Sequence, residues 1–338
     1  MTRSRLNWLS TAIAGALLLT ACGSDRTDHM LEFYALGTEV SVTLFDVDSD
    51  AANAASTQLQ EYLADVGHDW YPWHEGELRA VNIAIEMQQS INVSPRLATV
   101  IKRAAQIERQ SNNRFNAGLG RVTELWGLHT IGEASPPMPS TSDIARALSQ
   151  SIGVTSIRWL DNQIVGSPPG LMLDLGGIAK GAILQDSAVI LQGLGIDNAI
   201  INIGGDLSVI GGEDSRSAHI GIQSPFAADA IAAVDVVGGE TIVTSGNYER
   251  FVEIEGERYS HVLNPRTGFP ADRTASVTVI HTDAMLADAA ATALMVGGAE
   301  EFEQLSAALG LEYALLIDAS GELSLTTAMD YRLNWLDQ

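Results

Sequence analysis

Cysteine is almost absent from this 338-residue chain: Cys22 is the only one. No disulfide can form within the chain, which excludes a small, stapled, core-poor architecture. Basic residues are also scarce. Nineteen Lys and Arg stand against 42 Asp and Glu, for a formal net charge of −23. A surface of that sign repels nucleic acid and anionic lipid, so recognition of a polyanion by overall charge is excluded. No apolar run is comfortably long enough to span a bilayer; the best candidate, Trp8 to Leu19, is too short. Two common phosphate-binding patterns, G-x-x-x-x-G-K-[ST] and G-x-G-x-x-G, are missing. There is no long linker, low-complexity block or convincing repeat. About three hundred residues after the N-terminal segment suffice for one large domain or two small ones.

What is present begins with a targeting segment. Arg3 and Arg5 precede the apolar stretch, which ends in Leu19-Thr-Ala-Cys22. That end resembles a bacterial lipobox, whose cysteine is the lipidated first residue of the mature chain. Residues 1–21 then read as a signal peptide, 22–30 as a polar tether and 31–338 as the folded domain. Loss of Arg3 and Arg5 takes the net charge from −23 to −25. The mature chain is expected on the periplasmic side of a bacterial membrane, held by acyl groups on Cys22. Gly23 follows Cys22 where an aspartate would favour inner-membrane retention, so the outer membrane is favoured if the cell has two.

Alternation of Val40, Val42 and Leu44 with Ser41 and Thr43 predicts a half-buried strand. Asp48 and Ser49 predict a helix start, with Ala52, Ala55, Leu59, Tyr62 and Val66 on its apolar face. Ser94-Pro95 predicts a second helix carrying Leu97, Val100, Ile101, Ala104 and Ala105. Short strands are expected over 199–203, 207–210, 219–222, 234–237, 250–254 and 276–280, with Glu255-Gly256 as a hairpin turn. A helix is expected from Ala284 to Val296, stopped by Gly297-Gly298. Many hairpins with a few helices indicate α+β, not a regular βαβ series.

The most informative stretch is Met172-Leu-Asp-Leu-Gly-Gly-Ile-Ala-Lys-Gly181. Read as strand, glycine turn and helix, it would present N–H groups and Lys180 at a helix N-terminus, which suits an anion. Asp288 and Thr292, four residues apart, share a helix face among alanines. A carboxylate and a hydroxyl there can hold Mg²⁺, although such a pair alone is more often solvated or capping. Thr244 to Phe251 forms a polar turn into a hairpin, and the returning strand leads to His261 and Asn264-Pro-Arg-Thr-Gly268. His261 can act as a base or a donor, and Arg266 can pair with phosphate. Ser111 to Gly118 is a glycine-containing loop ahead of Leu125-Trp-Gly127. Trp70, Tyr71 and Trp73 cluster before Glu77-Leu78. Such clusters are more often core, but an exposed ring beside Pro72 can stack on a planar ligand.

Taken together and in order, these segments resemble the ApbE family, the FAD:protein FMN transferases. Leu36-Gly-Thr38 stands where the family has an early Met-Gly-Thr. Trp73, Glu77-Leu78 and Asn82 resemble its aromatic and Ser-Glu-Leu…Asn region. Arg114-Phe-Asn116 with Leu125-Trp-Gly127 resembles Ala-Phe-Asp…Leu-Trp-Gly. Asp174 to Gly181 resembles D-L-G-G-x-A-K-G. Asn202 to Asp206, Thr244-Ser-Gly246, His261 to Gly268 and the Asp288…Thr292 helix complete the series. Leu36 replaces the commoner Met, and Asn116, Asn247 and Asn264 stand where many members have Asp.

The resemblance implies a single α+β domain of the ApbE, T-fold-like type, with mixed and antiparallel sheets and several helices. It implies that Asp174 and Lys180 contact FAD, and that the carbonyl of Gly177 joins Asp288 and Thr292 around Mg²⁺. Leu36, Trp73 and the loop of Arg114, Phe115 and Asn116 would line the flavin or adenine pocket. His261 would lie near the pyrophosphate as the base, with a pKa near the ordinary histidine value. The implied reaction moves FMN from FAD to a Thr or Ser of a redox protein, such as a subunit of sodium-pumping NADH:quinone reductase or an RNF-type complex, and releases AMP. Two alternatives remain at this stage: an FAD pyrophosphatase giving FMN and AMP, and a non-catalytic flavin-binding lipoprotein. The Asp288/Thr292 pair argues against pure binding.

Overall fold

The structure, a computed structural model, describes residues 26–35, 37–130, 136–151, 153–212 and 217–336. The expected signal peptide, Cys22 and Leu36 lie outside the described residues. The chain opens with a hairpin, β1 (Thr27–Ala35) and β2 (Thr38–Val47), followed by α1 (Ser49–Asp69) and α2 (Glu77–Glu86). The short β3 (Ile91–Asn92) leads into α3 (Pro95–Gln110), α4 (Gly120–Leu125) and α5 (Thr141–Gln150). β4 (Arg158–Leu160) and β5 (Gln163–Gly166) precede α6 (Ala179–Gly193). Then come β6 (Ala199–Ile203), β7 (Asp206–Ile210), β8 (Ala218–Gln223), β9 (Ala230–Val236) and β10 (Thr241–Gly246). β11 (Phe251–Ile254), β12 (Glu257–Ser260) and β13 (Thr274–His281) follow, then α7 (Ala284–Leu309). The chain closes with β14 (Tyr313–Asp318), β15 (Leu323–Leu325), α8 (Thr327–Arg332) and β16 (Asn334–Trp335).

Eight strands form the main sheet in the order β1-β2-β6-β7-β10-β13-β14-β15. The strand pairings are antiparallel, so the α+β expectation holds; the parallel contact among the described residues is the isolated bridge Leu119–Met172. Period-two alternation gives the sheet two apolar faces. Val243, Val277 and Val279 point into the larger core, which α1, α3, α6 and α7 cover. Ile242 and Ile280 point the other way, against Ile222, Val234 and Val236 of β8 and β9 and Met329 of α8. A third cluster, around the fully buried Trp126, lies beneath the β11–β12 hairpin.

The folded domain begins earlier than residue 31 among the described residues. Thr27 to Met30, read from sequence as tether, already pair with β2, with His29 opposite Leu44 and Met30 opposite Thr43. The reason is that Leu31 and Phe33 pack on the large core and carry the preceding residues into register. The helix starts agree with the sequence: Asp48 accepts from the Ala51 N–H and Ser94 from the Leu97 N–H. The glycine stop also acts as expected. Gly298 has φ 65° and breaks α7, after which a second helical stretch runs on to Leu309.

Candidate active site

The stretch ahead of α6 is not a strand. Apart from the bridge at Met172, Leu171 to Leu175 pair with no sheet. A side chain takes the place of a neighbouring strand. The buried Asn82 of α2 donates to the Leu173 carbonyl at 3.0 Å and accepts from the Leu173 N–H at 2.7 Å. The next N–H, of Asp174, donates to the Ala117 carbonyl at 2.8 Å. The Asp174 carboxylate then shapes the turn, accepting from the Gly176 N–H at 3.0 Å and the Thr123 hydroxyl at 2.9 Å. Burial raises its pKa against these two bonds.

Gly181 sets how closely α6 approaches α7. A Cβ at Gly181 would lie 2.2 Å from the Ala284 carbonyl oxygen, so no larger residue fits this contact. The approach brings Asp288, 2% exposed, to the start of α6, where its Oδ2 accepts from the Gly181 N–H at 2.8 Å. Asp288 therefore occupies the helix N-terminus that the sequence reading left for an anion. Thr292 stands one turn further along. A Cβ on Gly177 would lie 3.1 Å from Thr292 Oγ1 and 3.3 Å from the Phe115 ring. The turn into α6 thus meets α7 twice, Gly177 against Thr292 and the Gly181 N–H on Asp288. Carboxylate, hydroxyl and backbone carbonyl are hard oxygen donors, the set that Mg²⁺ prefers.

Beside this trio lies a buried charge cluster. Lys180 Nζ pairs with Oδ2 of Asp206, which is 1% exposed and whose Oδ1 accepts from the Thr244 N–H at 3.0 Å. Burial alone would lower the Lys180 ammonium; Asp206, Asp288 and Glu249 outweigh it and hold the ammonium above its usual value. Burial pushes Asp288 up to about 6, with Lys180 pulling it down and Asp206 pushing it further up. Desolvation likewise raises Glu249 to about 7, although part of its side chain reaches solvent.

His261 borders the same cluster. Its Nδ1 lies 3.0 Å from the Arg250 carbonyl. A carbonyl only accepts, so Nδ1 carries the proton and Nε2 keeps the lone pair. Burial pushes the imidazolium down to about 4, so the ring is neutral at pH 7. This corrects the expectation of an ordinary histidine value.

The other expected pocket residues have settled partners. Arg114, 7% exposed, gives Nε to Glu301 at 2.6 Å and a second nitrogen to the same carboxylate, a bidentate pair that holds its guanidinium against α7. Phe115 is buried in the core beside Gly177. Asn116 accepts from the Gly118 N–H at 2.7 Å and donates to Asn113, so it shapes its own loop. Arg266 lies 3.8 Å from Glu301 and donates to the Asn112 carbonyl at 3.3 Å. Trp73 stacks on His129, with ring centroids 5.2 Å apart and planes 23° apart.

A match to the ApbE family model spans residues 36–315. The chain belongs to the ApbE family. It is 34% identical to an FAD:protein FMN transferase of Rhodobacter capsulatus over 94% of its length, and spans 60% of that relative. It is 30% identical to an FAD:protein FMN transferase of Vibrio cholerae, covering 87% of this chain and 88% of the relative. The fold is similar to the ApbE protein of Thermotoga maritima, with a TM-score of 0.81 and 27% identity over 90% of this chain and 99% of that one. The flavin transferase ApbE of Vibrio cholerae matches with a TM-score of 0.76 and 25% identity over 92% of this chain and all of that one.

Sequence reasoning assigned no role to Asn82, Asp206, Glu249 or His129. Asn82 and Asp206 sit inside the family-like segments, and an acid directly after Gly204-Gly205 was the visible signal for Asp206. Nothing in the local pattern marks Glu249 or His129, because their neighbours arrive from distant parts of the chain.

Proposed function

We propose that this chain is a Mg²⁺-dependent FAD:protein FMN transferase that attaches FMN through a phosphoester to a Thr or Ser of an acceptor redox protein. The observation that carries this reading is the convergence of Gly177, Asp288 and Thr292 beside the Lys180–Asp206 pair. These three residues would hold Mg²⁺, which when bound neutralises charge on a pyrophosphate and on the phosphate that leaves. The acceptor oxygen attacks the FMN-side phosphorus as the bond to the bridging oxygen breaks, and AMP departs with that oxygen. His261, neutral and with a free Nε2 lone pair, takes the acceptor proton. Lys180 keeps the buried Asp206 and Asp288 tolerable side by side, and the glycine turn lets the ligand's phosphates approach the backbone.

The test is to mix the chain with FAD, Mg²⁺ and a candidate acceptor. Expected are AMP release and flavin fluorescence that stays with the acceptor on a denaturing gel. AMP and free FMN, with the acceptor unlabelled, would replace the transferase reading with hydrolysis. Neither product would overturn both.

The lipobox-like Leu19-Thr-Ala-Cys22 supports a periplasmic, lipid-anchored placement, in which the acceptor is a subunit of sodium-pumping NADH:quinone reductase or of an RNF-type complex. No helix among the described residues is long and apolar enough to cross a membrane. Cys22→Ser should therefore move the protein to the soluble fraction with its activity intact. Continued membrane association would point to another anchor.

A further inference from the structure

Away from Asp288, Thr292 and the Lys180–Asp206 pair, one carboxylate gathers two arginines from distant parts of the chain. Glu301 stands three residues beyond Gly298, in the stretch of α7 that resumes after the break. It accepts both arms of the Arg114 guanidinium, Nε at 2.6 Å and Nη2 beside it. A bidentate pair of this kind fixes orientation as well as distance. Arg266 Nη1 lies 3.8 Å from the same carboxylate, and Arg266 Nη2 donates to the Asn112 carbonyl at 3.3 Å. Both arginines thus tie the 111–118 loop to α7. That loop is one that needs holding. Asn112 and Asn113 take φ of 49° and 60°, a left-handed conformation that residues other than glycine rarely adopt twice in succession. The held loop meets the glycine turn at two points. The Ala117 carbonyl accepts from the Asp174 N–H at 2.8 Å. The buried Phe115 ring lies 3.3 Å from the place of a Cβ on Gly177, whose other close neighbour is Thr292.

We propose that Glu301 is a positioning residue for the metal site: by clamping Arg114 and Arg266 it keeps the 111–118 loop against the glycine turn, and Phe115 then holds Gly177 in place beside Thr292. The inference rests on the Mg²⁺ reading of Gly177, Asp288 and Thr292 and adds what supports the first of them. Asp288 and Thr292 are carried by one rigid helix. Gly177 lies ahead of α6 and would offer a backbone carbonyl, which has no rotamer of its own and sits where its neighbours put it. It is therefore the ligand that depends most on outside support. Loss of the clamp frees the loop, the turn loosens, and the metal keeps two good ligands and a poor third. Arg114 stands at the place of the first residue of the Ala-Phe-Asp pattern, and an alanine there could form no such pair.

The experiment compares the wild-type chain with Arg114→Met and Glu301→Gln. Met keeps the length of the buried side chain without its charge and leaves Glu301 to solvent, which part of it already reaches. Gln keeps the shape of Glu301 and deletes its charge. Mg²⁺ affinity is read by calorimetric titration without FAD, and backbone motion by amide hydrogen exchange over 174–178, with α1 as the control. Both variants should bind Mg²⁺ roughly 10-fold more weakly, the lower end of what residues behind a metal ligand contribute. Exchange over 174–178 should quicken while α1 keeps its wild-type protection. Arg114→Lys, which retains the charge and loses the fork, should fall between, and it carries the same comparison if Arg114→Met does not fold. A pair with a merely structural role would lower the unfolding temperature and leave the Mg²⁺ affinity of the folded protein where it is. That result overturns the proposal, as does weaker Mg²⁺ binding with exchange over 174–178 unchanged. Failure of the wild-type chain to bind Mg²⁺ would instead sink the metal reading, and quicker exchange over 174–178 in Arg114→Met would still show the loop clamped to the turn.

Discussion

Replacing Asp288 by Asn should make the metal-free protein more stable while disabling it. The carboxylate is 2% exposed, and burial pushes its pKa up to about 6 from its ordinary 3.8. A carboxyl whose pKa is higher folded than unfolded opposes folding wherever it is ionised. That penalty is fully developed above the folded value and fades as pH falls toward the unfolded one. At 1.36 kcal/mol per pKa unit it amounts to about 3 kcal/mol at pH 7 and about 0.5 kcal/mol at pH 4. An Asn amide keeps an acceptor for the Gly181 N–H and carries no charge. For a chain of this size, with an unfolding entropy of about 2 cal/mol/K per residue, 3 kcal/mol corresponds to roughly 5 °C in Tm. Scanning calorimetry in chelator at pH 7 should therefore show Asp288→Asn melting several degrees above wild type, with the gap closing toward pH 4. Mg²⁺ at about a hundred times its Kd should add about 2.7 kcal/mol to the wild type and little to the variant. FAD turnover by the variant should be lost at moderate Mg²⁺. A variant that melts below wild type in chelator would refute the buried-charge reasoning. Equal Mg²⁺ stabilisation of both proteins would remove Asp288 from the metal.

Three further outcomes follow from the geometry. His261→Asn should bind FAD nearly as well as wild type and transfer FMN about 10²–10⁴-fold more slowly in single-turnover assays. Because the base works deprotonated and desolvation holds its pKa at about 4, the wild-type rate at saturating Mg²⁺, where Asp288 stays ionised, should hold from pH 7 to 5 and fall only toward pH 4; a break near 6.5 that persists at saturating Mg²⁺ would contradict the neutral imidazole. Gly177→Ala places a methyl 3.1 Å from Thr292 Oγ1 and should raise the Mg²⁺ requirement by about tenfold or more, measured as rate against Mg²⁺; an unchanged requirement would release Gly177 from the site. Asn82→Leu strips both partners from the buried Leu173 backbone and should lower stability by about 2–4 kcal/mol in urea unfolding; a loss below about 1 kcal/mol would mean that the segment finds other partners.

The local elements were legible in the sequence because their causes are local. Asp48 and Ser94 cap helices through N–H groups three residues away, Glu255-Gly256 takes the positive φ angles a tight hairpin needs, and Gly298 breaks α7 with another. Val40, Val42 and Leu44 declare a half-buried strand by their period alone. The order of the glycine, histidine and Asp…Thr segments likewise identified the family. Tertiary structure decided what each residue faces. Only packing reveals that Gly181 admits the Ala284 backbone, and so delivers Asp288 to the first turn of α6. Only packing pairs Arg114 with Glu301 and Lys180 with Asp206. The segment before α6 read as a strand because an apolar run looks alike beside a strand or beside Asn82. The titration of His261 and Asp288 depends on burial and on charges that arrive from distant elements, and no spacing in a linear chain encodes a desolvation.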